Sequence, residues 1–137
     1  MSGRLVRRPG PDHPIAIEPA GRVTVTVAGR TIATSHDALR LSEAHYPPIF
    51  YIPRGHIAMA ALERSATISW CPYKGEATYY AMGPVDIAWS YDTPHPAVAA
   101  IAGMLAFYPD RVDAIVEEPL TLSSAAPAPP SGRAPAG

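Results

Sequence analysis

The stretch Arg22-Val23-Thr24-Val25-Thr26-Val27-Ala28-Gly29-Arg30-Thr31-Ile32-Ala33-Thr34 decides the fold class. Val23, Val25 and Val27 alternate with threonine, a period of two carried by β-branched residues, which is the pattern of a strand. Ala28-Gly29 supplies a turn and Thr31-Ile32-Ala33 returns, so residues 22 to 34 read as a hairpin.

Working outward, Leu39 and Leu41 continue the alternation, although Asp37 to Ala44 also tolerates a helical turn, and both readings stay open. Pro47 and Pro48 disfavour helix at the residue before each, so Ile49-Phe50-Tyr51-Ile52 is entered in extended form and ends at Pro53. Ile57, Ala60, Ala61 and Leu62 recur at helical spacing and predict a short helix from His56 to Arg64. Thr67 to Trp70, Ala77 to Ala81 and Val85 to Tyr91 are three strand-sized runs rich in aromatic and β-branched residues. Pro96 suits the first turn of a second short helix over Ala97 to Ala102, and Met104 to Tyr108 a closing strand. The expected architecture is mainly β, a small β-barrel or sandwich with two short helices.

Composition agrees. The chain of 137 residues holds 17 prolines and 10 glycines, which argues against a helical bundle or coiled coil. Its length suits one domain, and 47% apolar content can fill one core. The expected division is a flexible N-terminus at 1–8, a single domain at 9–118 and a disordered Pro/Ala-rich tail at 119–137, where five prolines and five alanines leave little to bury. A net charge of −1 lacks the basic surplus that phosphate backbones require, which disfavours nucleic acid as a partner. The longest uncharged run, Thr93 to Pro109, is broken by Pro94 and Pro96, so no membrane span is expected. One cysteine excludes an internal disulfide framework and a thiolate-rich zinc site. With no apolar signal after Arg7 and Arg8, a soluble protein of the reducing cytoplasm is expected.

Two clusters could carry chemistry. Cys71-Pro72-Tyr73-Lys74-Gly75 contains the only cysteine and the only lysine. A Pro72 β-turn brings the Cα atoms of Cys71 and Lys74 within about 7 Å, and an ammonium near a thiol favours the nucleophilic thiolate. Cys71 and Lys74 are therefore the candidate catalytic pair; the alternative is that Cys71 is a buried small hydrophobe and Lys74 a solvated turn residue. In Tyr46-Pro47-Pro48-Ile49-Phe50-Tyr51-Ile52-Pro53-Arg54, the arginine emerges beyond the proline stop. If this strand end meets the Cys71 turn, Arg54 and Lys74 form a cationic pocket walled by Tyr51 and Tyr73 and suited to a small anionic or planar ligand. Trp89 completes the expected lining. His13, in Gly10-Pro11-Asp12-His13-Pro14, is a candidate ligand-binding or proton-transfer residue if its loop folds over that pocket. The five histidines lack metal spacing, and neither a Gly-x-Ser-x-Gly elbow nor a phosphate-cradling glycine loop is present, so no metal or cofactor is expected. The competing reading is a non-catalytic interaction module, a homodimer using the same aromatics as a protein-facing patch.

Five motifs in order, Gly-Pro-Asp-His-Pro-Ile at 10–15, Tyr-Pro-Pro-Ile-Phe-Tyr-Ile-Pro-Arg at 46–54, Cys-Pro-Tyr-Lys-Gly at 71–75, Ala-Trp-Ser-Tyr at 88–91 and Ala-Phe-Tyr-Pro-Asp-Arg-Val-Asp at 106–113, resemble the family called domain of unknown function 427. The resemblance spans nearly all of residues 9–118. It implies a compact β-rich domain of the β-tent class, which also contains methionine sulfoxide reductase B and the ligand-binding domain of cereblon, and it implies no established activity. A nucleotidyltransferase-like label attached to the family finds little chemistry here. Asp86 and Asp92 stand six apart, with no Gly-Ser phosphate turn. The cysteine pairs of zinc-bearing β-tent proteins are missing, and Cys71 lacks the resolving partner of a sulfoxide reductase. The acidic residue that commonly follows Ile-Pro-Arg in the family is Gly55 here.

Overall fold

Residues 7–119 are described in a computed structural model. The valine alternation forms β2 (Arg22–Val27), which turns at Ala28-Gly29 into β3 (Arg30–Ser35). Both turn residues have positive φ, 53° and 75°, the condition for the tight hairpin turn whose twist matches that of its strands. β10 (Ala114–Glu118) adds to the other side of β2, giving a three-stranded antiparallel sheet in the order β10-β2-β3.

The open segment at Leu39 is a strand, β4 (Leu39–Glu43). It lies between β1 (Ile15–Pro19) and β5 (Ile49–Tyr51) in a second antiparallel sheet. Pairing on both sides places Leu41 opposite Ile17 and Ile49, so its alternation is satisfied by burial as a strand. A third sheet has the order β6-β7-β8-β9, from β6 (Glu63–Cys71), β7 (Gly75–Met82), β8 (Val85–Ser90) and β9 (Leu105–Phe107). Backbone bonds of 2.8 and 2.9 Å between Ile52 and Leu105 tie the second sheet to β9.

The four-stranded sheet is covered on both faces. Directly paired residues share a face, so Thr78 with Ser90 and Tyr80 with Ala88 look one way, while Tyr79 with Trp89 and Trp89 with Ala106 look the other. The first face, to which Phe107 of β9 also belongs, packs on Val23, Val25, Ile32, Ile52 and Leu62. The second packs on Leu41, Tyr51, Val98 and Ile101. Each fully buried aliphatic side chain stabilises the fold by roughly 1.5 to 3 kcal/mol, so both faces contribute a core.

The structure departs from the expected architecture in three respects. Among the described residues the sheets remain three separate antiparallel units and close no barrel. The expected helix at His56 to Arg64 is two 3-10 turns, Arg54–His56 and Met59–Ala61, and Glu63 and Arg64 already belong to β6. A helix this short is marginal alone, and β3 captures its backbone: Ile57 bridges Ala33, and the Ala58 N–H donates to the Ile32 carbonyl at 2.8 Å. The second expected helix is likewise a 3-10 segment, Pro96–Ile101, interrupted by non-helical Val98, which is buried with Ile101. Two strands carry signals the expected set left out: Ile15 and Ile17 of β1, and the Ala114-Ile115-Val116 run of β10. The flexible N-terminus expected at 1–8 and the disordered tail expected at 119–137 lie outside the described residues except for Arg7, Arg8 and Pro119.

Candidate functional site

The Cys71–Gly75 turn forms as Pro72 dictates, with the Lys74 N–H donating to the Cys71 carbonyl at 3.2 Å. The lysine side chain folds inward and is buried. Its Nζ donates to Glu43 Oε1 and lies 5.9 Å from the centre of the Tyr91 ring. Its charge is therefore matched by a carboxylate. Cys71 is half-buried and packs among the apolar residues of the second face.

Opposite this turn, Gly10 and His13 pair through backbone bonds of 2.9 and 3.3 Å, closing the loop that carries His13. The imidazole stacks on Tyr73 at 3.8 Å with 9° between planes, and its Nε2 is 2.6 Å from Glu43 Oε2. Both Glu43 oxygens thus have a protein partner. Burial pushes the Glu43 carboxyl up, but the hydrogen bonds and charges of Lys74 and His13 outweigh it and hold the group below its ordinary value. Glu43 is an acceptor at neutral pH.

Arg54 belongs elsewhere. Its Nε donates to the Gly103 carbonyl at 2.6 Å, Nη1 to the Tyr80 hydroxyl at 2.7 Å, and Nη2 to Ser90 Oγ at 3.3 Å and Asp92 Oδ1 at 2.6 Å. Tyr80 and Ser90 lie on the first face of the four-stranded sheet, whereas the Lys74 ammonium is beside Tyr91, which follows Ser90 and packs on the second. The sheet separates the two cations, so the expected cationic pocket does not form. Alternation along β8 is the cause: adjacent residues serve opposite faces. Asp92 is bound to Arg54, and Asp86 Oδ2 accepts from Thr67 at 2.8 Å at the far end of β8, an arrangement unlike paired metal-binding acids. No group of three or more histidine, cysteine, aspartate or glutamate side chains among the described residues is placed to hold a metal ion.

A cleft of about 700 Å³ draws its lining from both faces of the four-stranded sheet, Trp89 from the second and Phe107 from the first. Leu41 and Glu43 from β4 and Ile49 and Phe50 from β5 form one wall, joined by Tyr46, Pro47 and Pro48 of the connection between them. Trp89, Phe107, Tyr108 and Pro109 form the other wall, and Ile115 of β10 contributes an edge. Two consecutive prolines stiffen the connection. At its start, Ala44 has φ 48°, and its N–H donates to the Pro14 carbonyl at 2.7 Å, so the cleft rim is fastened to the His13 loop.

Aromatic residues organise the floor. Trp89 Nε1 donates to the Tyr51 hydroxyl at 3.3 Å, and the two rings meet edge to face at 6.4 Å. Trp89 also lies 4.6 Å from Tyr108, which stacks on Tyr79 at 6.4 Å. Burial raises the Tyr51 and Tyr91 hydroxyls far above their ordinary value, and burial followed by the bond with Tyr79 pushes Tyr108 up to about 12. All three stay neutral through physiological pH. Tyr51 is fully buried beneath the cleft, so it cannot belong to a protein-facing patch.

Of the expected site residues, then, Trp89 lines the cleft and Tyr51 supports it. His13, Tyr73 and Lys74 converge through Glu43, Cys71 packs on the same side of the sheet, and Arg54 stands on the opposite face. Glu43 itself escaped the sequence reading. Its signal was the spacing Leu39, Leu41, Glu43, which puts an acid on the apolar face of a strand, where it must be buried and partnered. A second constellation, Ser35 Oγ at 2.6 Å from His56 Nδ1 with Asp37 3.9 Å from His56 Nε2, resembles a nucleophile arrangement in composition only. Ser35 is buried, and its oxygen accepts the Asp37 N–H at 3.0 Å, so it closes a turn.

A family model described as Domain of unknown function (DUF427) matches residues 16–118. No curated protein matches the chain.

Proposed function

The chain belongs to the DUF427 family, and from that premise we propose that it is a small-molecule binding domain whose ligand is a flat, largely apolar molecule held in the cleft between β4–β5 and Trp89–Pro109. The observation that carries this reading is the cleft itself: about 700 Å³, walled by Phe50, Trp89, Phe107 and Tyr108, and stiffened by Pro47-Pro48. That volume suits a small organic ligand, and such sites are mostly apolar with a few placed polar groups. Lys74 holds Glu43 and Cys71 is part of the packing, so binding rather than covalent chemistry at the thiol is the activity the geometry favours.

The test uses 2-phenylethanol as a neutral probe. At about ten times its Kd, a ligand bound only to the folded chain adds about 1.4 kcal/mol and raises the melting temperature by several degrees. The Trp89 indole N–H resonance shifts in parallel. Ile49→Trp fills the cleft and removes both responses while leaving the sheets intact. A wild-type protein whose melting temperature and Trp89 resonance ignore the probe refutes the reading.

A further inference from the structure

Resting on that cleft as the binding site, we infer that the ligand is an organic amine, with its apolar body against Phe50, Trp89 and Phe107 and its protonated nitrogen directed at Glu43. The charge of the lining decides this. Glu43 is the one carboxylate among the residues that form the cleft walls, which include no lysine, arginine or histidine; the rest are hydrocarbon, proline, tyrosine or tryptophan. A carboxylate offers about four acceptor positions, and Lys74 and His13 account for one on each oxygen. What remains accepts only a donor. Lys74 is not part of the lining, so the acid, through the acceptor positions the lysine leaves open, is the member of the pair that a ligand touches. Its side chain is 14% exposed, and a largely desolvated carboxylate attracts a cation more strongly than one in bulk water. The aromatic rings add to the preference, since their faces are electron-rich and attract ammonium groups.

The neighbouring arginines do not reverse it. Arg40, 6.0 Å from the Phe50 ring, is paired with Glu18 and Glu117. Arg111 stacks on Tyr108 at 4.2 Å and donates to the Asp86 carbonyl at 2.9 Å, outside the lining. An anion-binding cleft would have to recruit Arg111.

Three probes of matched shape separate these cases: 2-phenylethylamine, 2-phenylethanol and phenylacetate, each titrated against the full chain by calorimetry and by the Trp89 indole resonance. The amine is expected to bind at least about tenfold more tightly than the alcohol, as a charge-assisted hydrogen bond should, and the acid most weakly. Glu43→Gln alone strands the Lys74 charge, so the variant used is Glu43→Gln with Lys74→Met, which removes the pair together. It is expected to bind amine and alcohol equally, at the wild-type alcohol affinity. Should the double variant not fold, the wild-type ranking alone decides. Phenylacetate binding as well as the amine, or a double variant that keeps the amine preference, overturns the inference. Equal binding of amine and alcohol to the wild type overturns it too, while leaving the cleft reading standing. If none of the three shifts Trp89, both fall.

Discussion

Arg54 and Lys74 are the two cations that local sequence suggested would share a pocket, and the structure puts them to different uses on opposite faces of one sheet. Arg54 is the fastener of the first face, its guanidinium fork reaching a carbonyl, two hydroxyls and a carboxylate on three chain segments. That geometry suits a planar group with five donors. Lys74 is a point charge buried with a single carboxylate, and that carboxylate lines the cleft. A cation that satisfies many protein acceptors is structural. A cation matched to one acid leaves the acid with capacity for something else.

The largest expected effect breaks the second arrangement. Lys74→Met leaves Glu43 without its counter-charge in a mostly buried setting and should cost about 3 kcal/mol in urea unfolding, whereas removing both charges together should bring stability back to within about 1 kcal/mol of wild type. A single variant as stable as wild type would mean the pair is solvated and the contrast with Arg54 is false. Arg54→Ala comes next, at about 2 kcal/mol, because its side chain is 35% exposed and water replaces part of what is lost. The affinity for 2-phenylethylamine should not change, since Arg54 is not among the residues that line the cleft; a loss of affinity would merge the two regions. The smallest effect is acidic. The Glu43 carboxyl is held below its ordinary value of 4.5, so the stability it contributes is complete above that pH and is lost as pH falls through its folded value. Between pH 6 and 3 the wild type should therefore lose more stability than the double variant at positions 43 and 74. Parallel curves would show that Glu43 is not held ionised by its partners.

The legible part of the fold was its period-two segments. The 22–34 hairpin, the Ile49 strand and the strands around Ile68, Tyr79, Ala88 and Ala106 all form where their alternation and turn residues place them. Helical spacing at 57–62 misled, because one and a half turns of helix cannot compete with backbone pairing to β3. The site was legible in fragments. The Pro72 turn, the His13 loop and the stiff Tyr46–Pro53 segment were each readable, yet the residue that connects the first two, Glu43, lay in a segment open to both a strand and a helical turn.

By itself the sequence determined which segments extend, where they turn and which face of each strand is apolar, because those properties depend on neighbours one to four residues away. Only the tertiary structure decided that Glu43 meets His13 and Lys74 across gaps of 30 and 31 residues, and that Arg54 and Lys74 part company. Those outcomes depend on strand order and on which face of the four-stranded sheet each side chain occupies. A local pattern gives a strand two faces but does not say what will be packed against either.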